Sequence, residues 1–361
     1  MQRANFKTHE KNLTEPEKRK LNEIFEEELR AQKDIINAEI SRDREHLRLV
    51  NFAAAPFLFR GTLGAATRYF LVRVEPLLKL GVKNCDVAVY NGESKVLILV
   101  ECKSSIAKPS DEVNHTILAA KEAIAHKKDL DDMVGDTIGL TEFVLCTNAA
   151  YVARVREYVT DKDLPVCLWS ADQATGKLLI EKQGRNTQNE IAKGRLHHDS
   201  KLTGLLIEGV ASIGVRPILF LPSAHPCTIL EETLPLLQLA LEKAGQTRFQ
   251  MSDIHTLLKG EASLFNVTDG ELWSICEHIV KQGLEPQIFR DCSLSTTNWK
   301  DKEFEVAVKK GSVRTMTKDV RAKYTEFHSV KNSQEKSLEK FDASREKEGI
   351  KRLEDFGKSS N

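Results

Sequence analysis

Cysteine pairs at metal-ligand or redox spacing are missing from this chain. Its seven cysteines are odd in number and spread from Cys85 to Cys292, with no C-x-x-C pair. That predicts no disulfide framework, no structural zinc and a reducing, cytoplasmic setting. Four of them lie inside apolar runs, where a cysteine behaves as a small hydrophobe. Long apolar runs are also missing. Val96–Val100 and Ile218–Pro222 are the longest, far below the roughly 20 residues that span a bilayer, so no membrane is expected as a partner. The opening MQRANFKTHEKNLTEPEKRK has no apolar core and predicts no secretory leader. There is no excess of either charge: 53 Lys and Arg balance 53 Asp and Glu. Nucleic-acid binding would therefore need a local patch rather than a whole-protein field. No P-loop, G-x-G-x-x-G or G-x-S-x-G occurs. With 41% hydrophobic, 29% charged and 6% aromatic residues, the chain is not collagen-like, a disulfide scaffold or wholly disordered.

Four segments are expected. Residues 1–50 read as an N-terminal helical arm. Thr14-Glu15-Pro16-Glu17 offers a capping box with Pro in the first turn, and apolar residues recur at Leu21, Ile24, Phe25, Leu29, Ile36 and Ile40, one face of a helix that must dock. Residues 51–172 read as an α/β domain, a mixed sheet flanked by helices. A helix over Thr62–Val74 is expected, although Tyr69–Val74 also reads as a strand. Strands follow at Val82–Tyr90, Lys95–Lys103, Thr141–Thr147 and Leu164–Ser170. Helices are expected from Asp111 to about Lys128, capped by Ser110, and over Ala149–Val159. Residues 173–292 read as a second, mostly helical domain. Its helix–helix–strand order over Met251–Phe289 is winged-helix-like, but with 5 basic against 10 acidic residues in 217–292, contacts to a protein partner suit it at least as well as contacts to phosphates. Residues 293–361 read as a charged tail, a frayed helix or disordered.

The chemistry concentrates at Asp86, Glu101 and Lys103. Side chains alternate along a strand, so Glu101 and Lys103 share a face. If Tyr90 pairs with Lys95 around Asn91–Ser94, Asp86 falls opposite Leu99; a two-residue Asn91-Gly92 turn puts it opposite Leu97. Either register leaves Asp86 on the face of Glu101 and Lys103. Two carboxylates are hard oxygen ligands for Mg²⁺. A nearby ammonium can orient or deprotonate a metal-bound water and offset charge on a phosphoryl group. The Cys102 carbonyl, between the two side chains, is a further candidate ligand, while its thiol is expected to point to the core side. A purely structural explanation would be a Glu–Lys pair closing the strand and Asp86 in a hairpin salt bridge. It must account for charge following the run Val96–Val100 directly.

This D-x14-E-C-K, with E-x-K ending an apolar strand after a β-turn, resembles the PD-(D/E)xK nuclease superfamily over roughly residues 52–172. Cys85 stands where that superfamily often has Pro. The resemblance implies a restriction-endonuclease-like fold and metal-dependent cleavage of phosphodiesters, almost always in DNA, of restriction, repair or phage-defence type. It implies Asp86 and Glu101 as ligands of Mg²⁺, with Mn²⁺ as substitute, and Lys103 as the catalytic lysine. Some members add an acidic residue, for which Glu75 and Glu45 are the candidates. A third strand before the second helix is usual, which points to Tyr69–Val74. A homodimer or larger assembly is expected on a duplex. An RNA nuclease, and an inactive nucleic-acid-binding or assembly module on the same fold, are the alternatives.

Weaker candidates surround this set. Ser104 and Ser105 follow the motif and either contact phosphate or are plain loop residues. Asn148 closes a strand near the same edge and could position substrate or water. Lys121, His126, Lys127 and Lys128 are expected to be mainly solvated. His197-His198 reads as a surface pair, since no Cys or carboxylate set completes a metal site beside it.

Overall fold

A computed structural model describes residues 6, 10, 13–212, 216–265, 267–293, 298–309 and 311–358. The chain divides into two compact units. One comprises Met1–Ser41, His225–Ser252 and Glu277–Asn361; the other comprises Arg42–Ala224 and Asp253–Cys276. Helix α1 (Glu15–Ala54) starts where the capping signal places it: the Glu17 carboxylate accepts from the Thr14 N–H at 2.9 Å and from its hydroxyl at 2.7 Å. One window within Glu15–Thr67 is long and apolar enough for a membrane span, yet 56% of it is buried in the protein. Leu47, Leu49, Val50, Ala53 and Ala54 are each at most 2% exposed, as in a packed helix.

The second unit is a mixed α/β structure around a seven-stranded sheet in order β1 to β7. After the short helix α2 (Thr62–Thr67) come β1 (Phe70–Val74), β2 (Val87–Asn91) and β3 (Val96–Lys103), paired antiparallel. A single helix over Thr62–Val74 is not formed. Arg68 adopts the left-handed conformation, φ 62°, and caps α2, which frees Phe70–Val74 to pair with β2. Helices α3 (Pro109–Ala125) and α4 (Lys127–Val134) lead to β4 (Leu140–Asn148), parallel to β3. The N-cap of α3 is Lys108 and not Ser110, with Pro109 in the first turn, where its missing N–H costs nothing. Helix α5 (Ala149–Asp161) crosses to β5 (Cys167–Asp172), parallel to β4. β6 (Lys177–Ile180) then runs antiparallel to β5, and after α6 (Thr187–Ala192) and α7 (Ser200–Glu208), β7 (Val210–Ala211) pairs with β6.

Near-complete burial of β2 and β3 explains their continuous apolar runs. Ala88, Tyr90, Leu97 and Leu99 form one core with Ala119 and Ala123 of α3. The turn before α2 is close-fitting: a Cβ on Gly64 would meet the Leu58 carbonyl oxygen at 2.1 Å. Backbone cannot swing aside as a side chain can, so Gly64→Ala is expected to destabilise by about 1–3 kcal/mol or more, read as a lower urea midpoint.

Beyond Ala224 the order is α8 (Pro226–Ala244), β8 (Arg248–Gln250), α9 (Met251–Leu258), α10 (Ala262–Phe265), α11 (Asp269–Leu284), β9 (Phe289–Asp291) and β10 (Glu303–Val306). A three-stranded antiparallel sheet, β8-β10-β9, belongs to the first unit. The charged tail is helical: α12 runs from Val313 to Lys358. Within the first unit α12 lies antiparallel to the start of α1. Lys33–Glu326 (2.6 Å), Lys340–Glu28 and Arg345–Glu17 (3.5 Å) pair across them, and Phe341 joins Leu13 and Leu21 in one cluster.

Candidate active site

Asp86, Glu101 and Lys103 meet at the C-terminal end of β3. The hairpin register pairs Asn91 with Val96 and Val87 with Val100, so Asp86 lies opposite neither Leu99 nor Leu97. It arrives level with the strand's end. Its N–H donates to the Val100 carbonyl (2.9 Å), and its own carbonyl accepts from the Glu75 N–H (3.0 Å). Its carboxylate then reaches across to β3, where Oδ2 accepts from the Cys102 N–H at 2.6 Å. Oδ1 is 2.9 Å from Nε2 of His46 on α1.

Glu101 is 3% exposed. Both its ionic contacts fall on Oε1, from Lys103 Nζ at 2.7 Å and from Nδ1 of His115 on α3 at 3.2 Å. The latter is close enough for an ion pair but off the line of an N–H···O bond. Glu112, also on α3, is 3.6 Å from Lys103. Burial pushes the Lys103 ammonium down, but Glu101, then Asp86 and Glu112, outweigh it and hold Lys103 above its ordinary value. Burial likewise pushes His46 down, and Asp86 more than restores it.

Cys102 enters the site through its backbone. Its thiol is buried beside Cys146, and burial with that neighbour keeps it protonated. Of the two extra acidic candidates, Glu75 adjoins Asp86. It has a left-handed backbone, φ 46°, uncommon for a side chain larger than glycine. Ser223 donates to its carboxylate from N–H (2.9 Å) and hydroxyl. Burial raises the Glu75 carboxyl, the Ser223 hydrogen bonds lower it, and repulsion from Asp86 leaves it raised. Glu45 instead lines an open cavity of about 440 Å³ with Arg48, Ser104, Asn148 and Gln173. His46, His115 and Glu112 were not singled out from the sequence. They stand up to 40 residues from their partners, and only the helix crossings bring them in.

The remaining candidates lie apart. His126 pairs with Asp129 and Lys127 with Asp131 within α4 and its cap; Lys121 and Lys128 are exposed. His197-His198 is not a surface pair, because His197 is fully buried. Its Nδ1 is 2.5 Å from Glu142 Oε2, and its Nε2 accepts from the Trp169 indole at 3.0 Å. That fixes the proton on Nδ1. Burial pushes Glu142 up, but His197 and His198 outweigh it and hold its carboxyl below the ordinary value. A carboxyl depressed on folding adds stability above its unfolded value near 4.5, and that stability is lost as pH falls through the folded value. Glu142→Gln, which weakens the charge-assisted hydrogen bonds from His197 and His198, is therefore expected to cost about 1.5–3 kcal/mol at pH 7, with the gap to wild type in melts closing as the pH falls through the folded Glu142 value.

No protein family, curated protein or solved structure matches the chain. Among the described residues no three His, Cys, Asp or Glu side chains are grouped to hold a metal. Mg²⁺ does not require such a group: one or two carboxylates with waters and substrate oxygens suffice.

Proposed function

We propose that the chain is a Mg²⁺-dependent nuclease that hydrolyses phosphodiester bonds in DNA, on a restriction-endonuclease-like core. The observation that carries this is the meeting of Asp86 and Glu101 with Lys103 at the end of a buried central strand. The order of three antiparallel strands, helix, strand, helix, strand agrees with the resemblance in the sequence. The donor set suits a hard cation. Asp86, Glu101 (through Oε2) and the Cys102 carbonyl would hold it. A strand residue's N–H and C=O leave on one edge, which turns that carbonyl the way of Asp86.

Bound Mg²⁺ supplies a water of lowered pKa and neutralises charge on the phosphate. Lys103, held as an ammonium, acts as a donor: it orients the attacking water and offsets charge growing on phosphoryl oxygens. In that state it does not take the water's proton. His46 and the Cys102 amide fix the Asp86 carboxylate. Because one site cuts one strand, a duplex substrate suits a two-fold pair of chains.

A second reading has its own support. Both Asp86 oxygens and Glu101 Oε1 are already matched by protein donors, as in an inactive nucleic-acid-binding or assembly module. The test is incubation with labelled single- and double-stranded DNA and RNA in Mg²⁺, Mn²⁺ or EDTA. Cleavage in metal alone supports the nuclease, and the preferred polymer separates DNA from RNA. Binding without cleavage in any metal supports the inactive module.

A further inference from the structure

The cavity lined by Glu45 and Arg48 lies entirely within the second unit, and two of its lining residues adjoin the candidate site along the chain. Ser104 directly follows Lys103 on the chain, and Glu45 precedes His46, the residue that holds Asp86. Its polar wall is pre-set. The Asn148 amide donates to the Ser104 carbonyl at 2.6 Å and accepts from the Gln173 amide at 2.9 Å. Ala149, Ala150 and Ala171 add small side chains to its lining. Arg48 is its one cation, exposed, with no ion-pair or hydrogen-bond partner among the described residues. An unmatched guanidinium in an open cavity lined by Ser104, Asn148 and Gln173 is suited to a fork of anionic oxygens.

We propose that this cavity binds the sugar-phosphate of the nucleotide flanking the bond that is cut, with Arg48 on its phosphate. The proposal rests on the nuclease reading and adds the path the strand takes: from β3's end across Ser104 towards α5 and Gln173. Phosphate contacts of this kind fix register and carry no sequence information. Arg48 is thus a strand-binding residue, and Glu45 on the same rim opposes it.

The experiment measures binding of a fluorescent oligonucleotide in Ca²⁺, over a series of salt concentrations, and steady-state cleavage in Mg²⁺. It uses wild type, Arg48→Ala, Arg48→Lys and Glu45→Gln, each checked for an unchanged melting temperature. Arg48→Ala is expected to raise Kd and KM about tenfold and to flatten the salt slope by about 0.7–0.9, one phosphate contact. Arg48→Lys recovers the slope but only part of the affinity, because it lacks the fork. Glu45→Gln binds roughly two- to threefold tighter. If wild type cleaves while Arg48→Ala matches it in KM and slope, the cavity proposal falls and the nuclease reading stands. If Arg48→Ala weakens binding but wild type never cleaves, the strand path stands and the catalytic reading falls. A wild type that binds no nucleic acid overturns both.

Discussion

Glu101→Gln is expected to lower Mg²⁺-dependent cleavage by about 10³-fold or more, the scale for removing a group that acts on transition-state charge or holds the metal. Glutamine keeps the shape and an oxygen for Lys103, so the fold should persist while metal affinity drops. Lys103→Ala separates two roles. It should lose about 10²–10³ in rate yet keep the metal, since lysine is not a ligand. It also strips the ammonium 2.7 Å from a carboxylate that is 3% exposed. An uncompensated buried charge costs about 3 kcal/mol, and bound Mg²⁺ should return much of that by mass action. The metal-induced rise in melting temperature should therefore be larger in Lys103→Ala than in wild type, and smallest in Glu101→Gln. Asp86→Asn should also abolish cleavage and weaken the metal effect, while the Cys102 amide keeps an acceptor. Calorimetric melts with and without Mg²⁺, beside cleavage rates, check all four proteins.

The largest stability effect is expected in the first unit, where α12 packs on α1. Phe341 is fully buried there with Leu13 and Leu21, so Phe341→Ala should cost about 3–5 kcal/mol. Ser329, Ser333 and Ser337, one turn apart on α12, are also fully buried. Small side chains on that face leave no room for a larger one. Ser333→Leu should cost about 1–3 kcal/mol by overpacking. Ser333→Ala should be neutral or stabilising, because the Ser333 hydroxyl is buried without a hydrogen-bond partner and its loss leaves nothing unmatched. Denaturant melts of the three variants give the order alanine at 333, leucine at 333, alanine at 341, from most to least stable. Equal melting of all three would remove α12 from the core of this unit.

That serine face also shows why the tail was illegible as a packed helix. Hydrophobic periodicity announces a docking face only when the face is apolar, and here much of it is serine. β3 was legible for the opposite reason: five buried aliphatics followed by Glu-Cys-Lys leave a strand end as the natural place for the charge. The hairpin register was missed because Asn91 is the last paired residue and not the first turn residue. Its Oδ1 accepts from the Glu93 and Ser94 N–H groups, and its Nδ2 donates to the Thr67 carbonyl. Asn-Gly here opens a four-residue turn that ends with Lys95 at φ 56°. β1 emerged from a helix pattern because Arg68 ends α2 in a left-handed conformation that nothing in Thr-Arg-Tyr announces. His46, His115 and the burial of His197 depend on pairs 40, 14 and 55 residues apart, which no local pattern encodes.

The central claim is that Asp86, Glu101 and Lys103 form a metal-dependent phosphodiesterase site. Its most direct test is single-turnover cleavage of an end-labelled DNA by wild type and Glu101→Gln, purified side by side, in Mg²⁺ and in EDTA. The account predicts cleavage by wild type in Mg²⁺ only, and a loss of about 10³-fold in Glu101→Gln. Equal cleavage by the two proteins, or cleavage by wild type that survives EDTA, would contradict it.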